Sequence, residues 1–137
     1  MKKLIFCLMF LTLNVHSEPS AIGILKRDGA FMVCQASDAE GKKASVSMTL
    51  FRKHIPFTRK VSNTLSVEFK SFGQVRNFEA RRKNAGNRQV MYVAGMWTLT
   101  TLEGEAETSQ EFTKLPGQVT FPHGDVYKVF NLSCFQQ

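Results

Sequence analysis

Helical periodicity, cysteine, histidine and a second apolar run are what this sequence is short of, and each shortage excludes a class of protein. No stretch of ten or more residues carries an apolar stripe at helical spacing, which excludes helix bundles and coiled coils. Three cysteines in 137 residues are too few for a disulfide-dense miniprotein, and Cys34 and Cys134 have no neighbouring His or Cys at zinc spacings. Only three histidines are present; His54 and His123 each stand near a proline in a loop-like context. No G-x-S-x-G elbow and no H-E-x-x-H pair marks a reacting set, so no catalytic residue, metal or cofactor is expected. Eleven acidic residues against eighteen Lys and Arg leave the chain at +7.

The one long apolar run is at the start. Lys2 and Lys3 precede Leu4 to Leu11, and Val15-His16-Ser17 offers a peptidase small residues at the inspected positions. This is a secretory leader, with cleavage after Ser17, and its length is about half of the ~20 residues needed to span a bilayer. Residues 18–137 are expected to form a single domain, secreted and without a transmembrane segment. Export also argues against nucleic acid as a partner. Cys34 and Cys134 remain after cleavage, and two cysteines admit only one intramolecular bond. Tying positions so far apart is worth about 4–5 kcal/mol in the chain-entropy picture. Two free thiols, or a bond to another chain, are the alternatives.

What the mature chain has in quantity is alternation. Val46, Met48 and Leu50 alternate with polar residues, as do Leu65, Val67 and Phe69. Phe31 to Cys34, Val90 to Val93, Trp97 to Thr101, Val119 to Phe121 and Val126 to Leu132 add five more candidate strands. Turn chemistry separates them at Asp38–Gly41, Asn84–Asn87, Leu115-Pro116-Gly117 and Pro122–Asp125. Phe72 to Lys83 comes nearest to a helix, though Gly73 interrupts it. The expectation is all-β: an antiparallel β-sandwich of about seven strands.

Charge is unevenly spread. Residues 51–88 hold ten Lys and Arg against Glu68 and Glu79, whereas residues 103–111 hold four glutamates and no base. Arg52, Lys53, Arg59, Lys60, Arg81, Arg82 and Lys83, interleaved with phenylalanines, are the candidate face for an anionic partner: an extracellular protein, an anionic lipid or a sulfated glycan. A solvated face is the alternative. Trp97, the only tryptophan, is expected to pack on the disulfide, and Asn131-Leu132-Ser133 is an N-glycosylation sequon with Asn131 as acceptor.

Two segments carry a family resemblance. Gly29-Ala30-Phe31-Met32-Val33-Cys34 followed by Gly41-Lys42-Lys43-Ala44 and the alternating strand to Phe51 resembles the opening of the nematode transthyretin-like secreted proteins. Val93-Ala94-Gly95 with Leu99 to Glu103 is similar to a second segment of that family, although Gly104 stands where the family has proline. The resemblance implies a small sandwich, transthyretin-like in topology (an Ig-like order fits the strand pattern as well), and extracellular or cell-surface binding. The chain's last residues lack the Y-R-G-S signature of the related hydrolase branch, so no enzymatic activity is implied.

The leading expectation is therefore a secreted, non-enzymatic binding protein that meets an extracellular or cell-surface partner through its basic face. A carrier holding a small hydrophobic ligand among the phenylalanines and Trp97 is the second. A secreted protease inhibitor or effector is the third, although the spacing from Gln89 to Gly95 does not match the cystatin turn it superficially resembles.

Overall fold

The computed structural model describes residues 20–27, 29–36, 46–54, 57–58 and 61–137. The expected leader over 1–17, the turn at Asp38–Gly41, and Arg59 and Lys60 lie outside the described residues. In chain order the elements are α1 (Ser20–Arg27), β1 (Met32–Ala36), β2 (Val46–His54), β3 (Val61–Ser71), β4 (Gln74–Gly86), β5 (Gln89–Ala94), β6 (Trp97–Leu102), a 3-10 turn (Glu103–Glu105), β7 (Glu107–Thr108), β8 (Thr113–His123) and β9 (Val126–Gln136).

The chain is all-β and antiparallel, as expected. The strand count and the layering differ. Nine strands form one sheet in which strands adjacent in sequence pair, except β6 and β7. Two further ladders, β6 with β8 and β1 with β9, join the ends of that sheet. Eight strands thus close into an up-and-down barrel, and β7 hangs from β8. The physical reason is strand length. The hairpins β3–β4 and β8–β9 have strands of eleven to thirteen residues, long enough to coil round rather than stop as facing layers.

One local expectation changes with it, and the stretch nearest to a helical stripe takes its place as a hairpin turn and a strand. Phe72 to Lys83 is not helical: Phe72 and Gly73 take φ of 48° and 80°, the pair of positive values that a two-residue hairpin turn requires. Leu115-Pro116-Gly117 is not a turn but the middle of β8. Cys34 and Cys134 stand opposite each other with Cα atoms 4.0 Å apart, the close spacing of a non-hydrogen-bonded pair. The backbone of Cys134 therefore points to Leu115, and that of Pro116 points away from β9, into the gap between the β7 and β6 ladders. A residue without an N–H fits there.

Alternate positions fill the interior with Met32, Met48, Leu50, Val67, Tyr92, Leu99, Leu115, Val119 and Leu132, all buried. The Cys34–Cys134 bond lies among them and fastens the seam between the first and last strands. Outside, α1 lays Leu25 over Val33, Phe51, Phe112 and Phe135, and the Gln137 side chain donates to the Leu25 carbonyl. This helix covers one patch of the barrel wall near the end that holds the β4–β5 turn. No described helix is long and apolar enough to cross a membrane.

Candidate binding site

The barrel is not closed along its whole height. β4 pairs with β3 from Gln74 to Arg81 but with β5 only from Arg81 to Gly86. Over Gln74–Ala80 it parts from β5, and the β5–β6 turn at Gly95-Met96 faces the space it leaves. The result is a cleft of about 440 Å³.

Its lining follows from strand parity. Phe69, Phe78, Trp97 and Phe121 occupy inward positions near the ends of four strands, and all four line the cleft. They meet edge to face: Phe78 and Trp97 at 5.0 Å between ring centroids, Phe69 and Phe121 at 4.9 Å, Phe69 and Trp97 at 5.9 Å. Such pairs add about 0.5–1.5 kcal/mol each beyond the area they bury, so these walls are pre-formed. Phe72 stands beside the opening, 4.8 Å from the His123 ring and 6.0 Å from Phe130. These contacts hold a bulky residue at positive φ, a conformation that costs of order 1–3 kcal/mol.

Trp97 is 6% exposed, and its indole N–H is buried without a hydrogen-bond partner. A buried donor left unpaired costs about 1–3 kcal/mol, a deficit that an acceptor on a bound molecule removes. Around the opening, Ser71, Gln74, Arg76, Glu79 and His123 supply the polar groups. Beyond them Phe72, Val75, Met96, Val126, Tyr127 and Val129 leave an exposed apolar rim, where the Tyr127 hydroxyl donates to the Met96 sulfur at 3.2 Å.

The expected basic face is distributed differently from its order in sequence. Strand alternation gives Arg52 and Arg82 inward parity, and both lie exposed at the barrel mouth opposite the cleft, while Lys53, Arg81 and Lys83 point outward. Lys53 is ion-paired with Glu79. Trp97 finds its ring partners in Phe69 and Phe78; the close neighbour of the disulfide is Gly117, where an added Cβ would come 2.8 Å from the Cys134 sulfur. Asn131 is exposed on β9, with its side-chain oxygen 3.3 Å from the Gln118 amide nitrogen. His54 ends β2, and His123 ends β8 at the cleft. Among the described residues, no three His, Cys, Asp or Glu side chains gather where they could hold a metal ion.

The residue that sequence reasoning missed is Arg76. Its signal was parity: Arg76, Phe78, Ala80 and Arg82 alternate through β4, which places an arginine at the cleft and another at the far end. Compared with known protein families, curated proteins and solved structures, the chain matches none.

Proposed function

We propose that this protein is an extracellular, non-enzymatic carrier that holds one small, largely apolar molecule in the cleft between β4 and the β5–β6 turn. The observation that carries this reading is the aromatic wall of Phe69, Phe78, Trp97 and Phe121 around a 440 Å³ space, with the unpartnered Trp97 N–H in it. That volume lies within the 300–1,000 Å³ range usual for pockets that bury most of a small ligand. Eight-stranded barrels have an interior either filled by side chains or wide enough for one small ligand, and here the filled middle leaves room toward the ends, of which the cleft is the aromatic one. The ligand's chemistry follows: a flat or branched apolar body against the rings, one acceptor for the indole N–H, and a polar end toward Arg76 or His123. The leader-like residues 1–17 and the disulfide are compatible with work outside the cell.

Trp97 is the only tryptophan, so its emission reports on the cleft alone. Titration with 2-naphthol, an aromatic body bearing one oxygen, should quench that emission with 1:1 stoichiometry. Phe78→Ala, which removes the ring 5.0 Å from Trp97, should weaken binding about tenfold. Native mass spectrometry of protein purified from its source should show an added small mass. Unchanged emission together with a bare apo mass would overturn the carrier reading.

A further inference from the structure

The opposite end of the barrel has its own opening, about 300 Å³, and its chemistry differs from that of the cleft. Arg52 from β2 and Arg82 from β4 both occupy inward positions there, on the two strands that flank β3. Phe31 and Leu65 give this opening an apolar wall, and the Arg52 guanidinium sits 4.5 Å above the Phe31 ring. Ser62, Asn63 and Gln136 complete the lining with a hydroxyl and two carboxamides.

Two polar groups at this end are buried and unsatisfied. Tyr92 stands opposite Arg82 in the β4–β5 ladder, is fully buried, and its hydroxyl has no hydrogen-bond partner. The Arg82 guanidinium is close enough to the phenol to favour its charged form. The Gln136 amide oxygen is likewise buried without a partner. Among the described residues no carboxylate lies within 4.0 Å of either guanidinium; Glu103 is the acid nearest in effect, acting on Tyr92. Arginine is the side chain suited to oxyanions, because its planar fork donates two parallel hydrogen bonds to a carboxylate or phosphate.

We infer that this opening binds a small organic oxyanion, a carboxylate or phosphate monoester. Its charged group is held between Arg52 and Arg82, and its apolar body rests on Phe31 and Leu65. The site is separate from the cleft, since Met48, Leu50, Val67 and Leu99 fill the barrel between them. It also differs from a diffuse basic surface: it uses the two inward arginines and not their outward neighbours Lys53, Arg81 and Lys83.

Calorimetric titration of the whole protein at low salt, with inorganic phosphate, phenyl phosphate and benzoate as probes, tests this. Phenyl phosphate should bind more tightly than inorganic phosphate, since only it reaches the apolar wall; its comparison with benzoate separates the phosphate from the carboxylate source. Arg82→Gln and Arg52→Gln should each weaken phenyl phosphate about tenfold or more. Lys83→Gln, one residue along and facing out, should leave the affinity within about twofold. Should either glutamine variant fail to fold, as judged by its thermal melt, the corresponding lysine variant keeps the charge, loses the fork, and should still bind more weakly than wild type. Equal losses in Lys83→Gln and Arg82→Gln, equal affinity for phenyl and inorganic phosphate, or no heat from phenyl phosphate and benzoate would overturn the assignment.

Discussion

Gly117→Ala should be costly, and only because of the disulfide. Gly117 lies in β8 between Thr101 of β6 and Leu132 of β9, with its missing side chain directed inward. A Cβ there would stand 2.8 Å from the Cys134 sulfur and 3.4 Å from the Thr100 carbonyl oxygen. The first distance is about 0.7–1.2 Å inside a comfortable contact. The sulfur cannot move away freely, because it is bonded to Cys34 on the next strand. Overpacking of this kind costs about 1–3 kcal/mol. For a domain of this size that lowers the melting temperature by about 4–12 °C. The decisive measurement repeats the substitution in a Cys34→Ala/Cys134→Ala background, where the sulfur is gone. There the penalty should fall below about 0.5 kcal/mol, or become a slight gain, because alanine restricts the unfolded chain more than glycine does. Thermal or urea unfolding followed by far-ultraviolet circular dichroism gives both numbers, and their difference is the coupling. The same loss in both backgrounds would refute the reasoning and locate the penalty in the backbone contact.

Tyr92 gives a pH signature. Burial, the largest influence, raises its phenol above the usual value near 10; Glu103 adds to this, and Arg82 and Arg52 work against it. The folded protein thus holds the phenol proton more tightly than the unfolded chain. The stabilisation is complete below pH 10 and is lost as pH climbs through the raised value. Tyr92→Phe should reduce the fall in melting temperature above pH 10 and should cost little at pH 7, since the hydroxyl has no partner to lose; an unchanged alkaline limb would contradict this. Lys53→Gln should shift stability by less than about 1 kcal/mol in urea unfolding, because both members of the Lys53–Glu79 pair are well exposed. A larger loss would mean the pair is shielded from solvent.

Much of the local structure was legible because one pattern decides it. The alternation of Val46-Met48-Leu50 and of Leu65-Val67-Phe69 marked β2 and β3 and also which face each strand buries. The cysteine pair was legible by elimination, and the structure sets the two residues opposite each other in the closing ladder. The closure itself was not readable. It depends on β6 pairing with β8 across the 3-10 turn and on how far long strands coil, and neither leaves a mark in a linear pattern. Charge misled where it was read as a block. Arg81-Arg82-Lys83 looks like one basic patch, yet on a strand its middle member faces the other way, and Arg82 lies exposed at the mouth of the barrel. Phe78 and Arg76 follow the same parity, hidden because the weak helical spacing from Phe72 to Lys83 masks the hairpin turn at Phe72-Gly73. The cleft was legible only as a set of residue types, since its shape arises from β4 outrunning β5.

The parting of β4 from β5 has a consequence beyond the cleft. Among the described residues, the β5 side of Gln74–Ala80 and the β1 side of Val126–Asn131 have no neighbouring strand, so these are the places where a second chain's strand could dock and seed polymer growth. Gln74, Arg76, Asn77 and Glu79 put polar or charged groups along the first stretch, whereas the second has only Lys128 and Asn131 among valines and aromatics. Self-templating is therefore resisted unequally, and a single lysine at the tip of the last hairpin carries most of that protection where the chain is greasiest.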